Sequence, residues 1–173
     1  MKNLVNRNDA GKFRYFADSI KNETGFDQAC LEAELLDIQP WLGSALLYEL
    51  KIQNDTDALT AYNTTLLDGG SYEYNDDTYT FEGLKAAIIY YAFARWRRRD
   101  GVTVTAFGSV VKSSDFSEPV AESVRMRLSK DDFEIAEALK LDIIRYLNRN
   151  IDDYPLWTCR TAKRKLQIKS VGI

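Results

Sequence analysis

The chain has 173 residues, 45% hydrophobic and 28% charged, with a formal net charge of −3 and no histidine. That length and balance predict one folded domain with its own core and exclude a disordered chain. The missing imidazole excludes Ser-His and Cys-His nucleophile pairs and every His-ligated metal site, which points to a protein acting through surfaces.

Phe13, Phe16, Ala17 and Ile20 fall at helical spacing, so 9–20 reads as either a short helix or an irregular arm. A clearer helix opens at 25–27, with Thr24 or Asp27 as cap, and carries Ala29, Cys30, Ala33 and Leu36. Pro40 is expected to stop it, because the residue before a proline is steered out of the α region. The next helix covers about 44–53 with Leu46, Leu47 and Leu50 inward. Another is expected from Asp55 or Thr56, presenting Leu59, Tyr62, Leu66 and Leu67, and Gly69-Gly70 ends it. Tyr72, Tyr74, Tyr79 and Phe81 then alternate around Asn75–Thr78, which predicts a β-hairpin over about 71–81 with a four-residue turn.

The most distinctive run, Lys85–Arg99, is apolar on nearly every side and then strongly cationic. It belongs to a helix over about 81–99 with Leu84, Ala87, Ile88 and Tyr91 on one face and Ile89, Phe93 and Trp96 on another. Two apolar faces describe either a central core helix or a helix that keeps one face for a second subunit. Residues 102–105 have strand character, and 106–112 form a second strand or an extended segment. Pro119 suits the first turn of a helix opening at Ser117. Its stripe of Val124, Leu128, Phe133, Ala136, Leu139, Ile143 and Leu147 reads as one long helix to about 150, although Ser129–Asp132 is able to re-cap it. Tyr154-Pro-Leu-Trp157 closes that helix. The fold class is therefore mainly α: a helical bundle with one long C-terminal helix, a small β-hairpin insertion and an extended C-terminal tail, with 1–159 as one domain and 160–173 as the tail.

Residue types suited to catalysis are sparse. Adjacent acids on a helix point about 100° apart, so Asp131-Asp132 is no dyad and reads as first-turn or surface charge. Asp76-Asp77 and Asp152-Asp153 read as turn residues. The chain has no Gly-rich phosphate loop, no Cys-x-x-Cys and no EF-hand loop, so neither a cofactor nor a metal is expected. The apolar run 86–94 is far short of the roughly 20 residues of a membrane span. The first seven residues lack the apolar core of a signal peptide, and the distant Cys30 and Cys159 suit a reducing cytosol.

Charge is segregated. Residues 160–173 carry Arg160, Lys163, Arg164, Lys165 and Lys169 without an acid, whereas Glu49–Glu82 holds eight acids and one base, Lys51. Such blocks bear on association. The tail is either a loose terminus or an extended strand steered to an acidic patch, such as that of a neighbouring copy. Arg95, Arg97, Arg98 and Arg99 cannot share one helix face. Ion pairing within or between subunits is one use for them. Phosphate contact is the other, which makes a DNA-binding accessory protein the alternative reading, although the acidic body opposes it.

Gly83–Arg95, Thr105–Val120 and Tyr154–Trp157 resemble a family of small tailed-phage and prophage proteins, mostly of phages with Bacteroides-type hosts. Ile38–Tyr48 fits as well, apart from its doubled leucine, so the likeness spans about 26–157. The broader group that it resembles is the head–tail connector (adaptor, or head-completion) proteins. The resemblance implies a virion structural protein without enzymatic activity, located at the head–tail junction after passing through the host cytoplasm. It also implies a ring of identical copies, commonly twelve, beneath the portal protein. That ring would join portal to a tail or second connector protein, with DNA passing through the lumen and no membrane partner. Candidate subunit or portal contacts are Tyr72, Tyr74 and Tyr79 of the hairpin, Arg95, Trp96 and Arg98, and Arg160, Lys163, Arg164 and Lys165 of the tail.

Overall fold

The computed structural model describes residues 2–13, 23–99, 102–105, 108–111 and 121–158. In chain order these form α1 (Arg7–Ala10), α2 (Glu23–Ala33), a π-helical segment (Glu34–Ile38), α3 (Gln39–Leu42), α4 (Ser44–Asp55), α5 (Ala61–Asp68), β1 (Gly70–Tyr74), β2 (Asp77–Phe81), α6 (Gly83–Arg99), β3 (Val102–Thr105), β4 (Gly108–Val111), α7 (Glu122–Arg149) and a 3-10 turn (Ile151–Asp153). The molecule is mainly helical, with a small antiparallel hairpin and a long helix near the C-terminus, as the hydrophobic periodicity predicts.

Helix α6 is the axis of the bundle, and α1, α2, α5 and α7 all pack on it. Both of its apolar faces are used inside the chain: Leu84, Ala87, Ile88 and Tyr91 on one side, Ile89 and Phe93 on the other, all within 2% of full burial. Trp96 is half-buried, edge-on to Phe26 and Phe93. Of the two uses open to a helix with two apolar faces, this sequence takes the central core helix.

Pro40 does not stop its helix. The backbone stays helical from Glu23 to Leu42, because the π segment lets the Gln39 amide reach back five residues to the Glu34 carbonyl. Pro40 then falls in the first turn of α3, where its missing N–H costs no ladder bond. Gly43, at φ +90°, is the true break.

The helix expected from Asp55 or Thr56 starts later. Those residues close α4, with the Thr56 amide and hydroxyl both donating to the Ile52 carbonyl. Helix α5 begins at Ala61, capped by the Thr60 hydroxyl, which accepts from the Asn63 amide. Its stripe shifts accordingly: Leu66 and Leu67 are buried, while Tyr62 faces solvent.

Strand pairing Tyr72↔Tyr79 and Tyr74↔Asp77 leaves a two-residue turn, not a four-residue one. Asn75 and Asp76 both take positive φ (52° and 64°), the type I′ geometry that matches the strand twist. A second two-stranded ladder, β3–β4, pairs Val102 with Val111. The expected helix start at Ser117 and Pro119 lies outside the described residues, as do 14–22 and Cys159. Helix α7 runs unbroken from Glu122 to Arg149, so Ser129–Asp132 does not re-cap it. Nor is Asp132 surface charge: it and Ser129 are fully buried against α6.

Candidate functional site

The cationic end of α6 meets helices on two sides. Arg95 and Arg99 are one turn apart and share a face. Arg95 grips Asp37 of the π segment with two bonds (Nε–Oδ2 2.6 Å, Nη2–Oδ1 2.8 Å). Arg99 grips Glu32 of α2 in the same forked way (2.8 and 2.6 Å). Arg97 turns to α7 and bonds Asp132 at 2.6 Å. Arg98 Nε donates to the Ser129 hydroxyl (3.0 Å), which in turn donates to the Ala94 carbonyl (2.7 Å). The Arg99 bond holds the Glu32 carboxyl below its ordinary value, and the Asp37 bond raises Arg95. Bidentate guanidinium–carboxylate pairs are rigid and orienting, so this cluster clamps α6 between α2 and α7.

The hairpin tyrosines also come together. Tyr72 stacks on Tyr79 at 5.6 Å, and Tyr72, Tyr74 and Tyr79 surround the Arg149 guanidinium at 5.9, 4.5 and 3.9 Å. Arg149 also donates to the Tyr72 hydroxyl at 3.1 Å. Phe81 stacks on Tyr146 at 4.3 Å. The aromatic face of the hairpin is thus seated on the last turns of α7, where cation–π attraction fixes it. Arg149 and Tyr146 escaped the sequence reading, which took Tyr154 only as part of the segment that closes α7. The available signal was a lone arginine in the last turn of the longest helix.

A third polar centre is internal. Glu34, fully buried, accepts from Lys51 Nζ at 2.5 Å and from the Leu4 amide at 2.6 Å. Burial raises the Glu34 carboxyl above its ordinary value, even though both donors act the other way. The bond to Leu4 ties the N-terminal strap across the body, with Leu4 and Val5 buried beneath it. A cleft of about 610 Å³ lies beside that strap, lined by residues that include Lys2, Asp9, Asp27, Asp57 and Lys85. A smaller one, about 200 Å³, lies where α4, α5 and the turn after α7 meet.

Of the predicted contact residues, the structure places Arg95, Trp96 and Arg98 at the α6 clamp and Tyr72, Tyr74 and Tyr79 around Arg149. Arg160, Lys163, Arg164 and Lys165 lie outside the described residues. Among the described residues no group of three or more Cys, Asp or Glu side chains is placed to hold a metal ion, and no helix is long and apolar enough to cross a membrane. Among the described residues thirteen large apolar side chains stay exposed, including Leu35, Leu36, Tyr48, Tyr62 and Leu141.

No curated protein and no solved structure matches the chain. A protein-family model does match, over residues 38–165, from the π segment through α7 and into the basic tail. That span is most of the sequence, so the chain belongs to DUF6712, a family of unknown function.

Proposed function

We propose that this protein is a head–tail connector of a tailed phage or prophage, a structural adaptor whose copies form a ring around the DNA channel beneath the portal. The observation that carries this reading is a contrast between interior and surface. Ion pairs from Arg95, Arg97 and Arg99 lock α2, the π segment and α7 onto α6, while large apolar side chains are left on the outside. A surface of that kind is suited to contact with other proteins. The resemblance of Gly83–Arg95 and Tyr154–Trp157 to connector proteins adds the identity of those partners: portal on one side, a tail or second connector protein on the other, and neighbouring copies around the ring.

The absence of histidine, read with the lack of any catalytic motif, favours a scaffold over an enzyme. The alternative, a DNA-binding protein using Arg95–Arg99, needs free guanidiniums. Arg95, Arg97 and Arg99 instead carry carboxylate partners inside the chain.

The test is binding of the full chain to the portal protein encoded beside it. Removal of 160–173 is expected to leave the thermal melt unchanged and to weaken portal binding. Full-strength binding by the truncated chain contradicts the tail's part in docking, and no binding by the full chain contradicts the connector reading.

A further inference from the structure

The 200 Å³ cleft is lined by Leu46, Glu49, Tyr62, Asp153, Pro155 and Leu156 together with Thr60, Asn63 and Tyr154. Among the described residues its walls hold two carboxylates and no cation. Among the described residues neither carboxylate has a lysine or arginine partner; Glu49 accepts from the Gln53 amide at 2.8 Å. Tyr62, 53% exposed, and Leu156, 39% exposed, place apolar surface beside those charges. The Tyr154 hydroxyl donates to the Tyr62 carbonyl at 2.7 Å, a bond that joins two of the walls. A long cationic side chain answers both features, because its methylenes cover the apolar wall while its head meets a carboxylate.

We propose that this cleft receives the basic segment 160–165 of a second copy of the chain, an inference that rests on the ring-forming adaptor reading and names one of its subunit contacts. That segment places Arg160, Lys163, Arg164 and Lys165 in six residues without an acid. Glu49, at the start of the 49–82 block with its eight acids and one lysine, lines the cleft together with Asp153. The larger cleft beside the strap is the poorer match, since Lys2 and Lys85 line it. Arg160 follows Leu156 by four residues, a reach of at most about 14 Å. Each copy therefore carries both a donor segment and an acceptor cleft. Unlike patches on identical subunits make head-to-tail contacts, which repeat from copy to copy and close into a ring when the rotation allows.

The test is a charge exchange in the full chain, read by analytical ultracentrifugation at low and high salt. One variant reverses the cleft (Glu49→Lys with Asp153→Lys). The other reverses the segment (Lys163→Glu, Arg164→Glu and Lys165→Glu). Circular dichroism confirms folding, and Glu49→Gln with Asp153→Asn replaces the first variant if it fails to fold. The wild type is expected to self-associate at low salt and to dissociate at high salt. Each variant alone should associate about tenfold more weakly, and an equimolar mixture of the two reversed variants should associate again, because each cleft then meets an opposite segment. A wild type that stays monomeric at low salt, the result expected if each segment folds onto its own cleft, overturns the proposal, as does a mixture no more associated than its components. Portal binding, measured separately, distinguishes the two readings: binding without self-association sinks this inference alone, and self-association without binding sinks only the connector reading.

Discussion

Asp132 of α7 meets Arg97 of α6 at 2.6 Å, with the carboxylate 1% exposed and the guanidinium side chain 23% exposed. A charge so placed depends on its partners, since a buried carboxylate that loses one gives up hydration without full compensation. The bond and the adjoining Arg98–Ser129–Ala94 relay make the α6–α7 contact polar at one end, and further along it the Tyr91 hydroxyl donates to Glu137 at 2.5 Å. That contact is the most extensive between elements of the described residues.

Removing one partner is therefore expected to cost far more than removing a surface pair. Arg97→Ala should lower stability by about 3 kcal/mol, near the lower end for a buried pair because Arg97 keeps some water contact. Glu134→Ala, which breaks the exposed Lys130–Glu134 pair (3.6 Å), should cost no more than about 0.5 kcal/mol. Urea denaturation checks both, read as a shift in midpoint at constant slope.

Glu32 and Glu34 lie two residues apart and are expected to respond to pH in opposite senses. Glu32 has its carboxyl lowered by the Arg99 bond, so its contribution is present above the ordinary value of 4.5 and is lost as pH falls through its lower folded value. Glu34 has its carboxyl raised by burial, so the folded chain binds the extra proton just above 4.5. Its contribution is full below 4.5 and declines as pH rises through the raised value. Stability profiles of Glu32→Gln and Glu34→Gln, each subtracted from wild type, should slope in opposite directions. Parallel difference curves would contradict the assignment.

Gly69 and Gly83 face each other where α5 ends and α6 begins. Both have positive φ (83° and 80°), and a Cβ on Gly83 would meet the Gly69 amide nitrogen and the Leu67 carbonyl. Backbone atoms cannot yield as a flexible side chain can. Gly83→Ala is expected to cost more than about 3 kcal/mol, combining overpacking with an unfavourable φ, a drop that thermal unfolding will register. At the hairpin tip the opposite holds: Asp76→Gly relieves a positive φ and should stabilise by about 0.5 kcal/mol.

The seat of the hairpin depends on Arg149. Arg149→Ala removes the cation from among three tyrosine rings and should speed amide exchange across Tyr72–Tyr79 while leaving α6 protected. Unchanged exchange in the hairpin would show that Phe81 and Tyr146 alone hold it down.

Much of this fold was legible because its signals are local. The leucine stripe of α4, the double apolar face of α6, the alternating tyrosines and the long stripe of α7 each declare an element within a few turns. Pro40 misled because a π step, which leaves no mark in the hydrophobic pattern, moved the proline into a first turn. Asp132 and Ser129 read as surface or cap residues because their partners are 35 and 31 positions away. The arginine cluster announced itself, but its matching acids, Asp37 and Glu32, lie 58 and 67 residues upstream. Pair identity over such separations is set by packing and not by any spacing visible in the chain.

The central claim is that this chain is an assembly component of a virion. Imaging of purified particles from a phage that encodes it, averaged at the head–tail junction, tests that claim most directly. The account predicts a ring of copies between portal and tail, each with α6 and α7 side by side. Mature particles that lack the chain would contradict it.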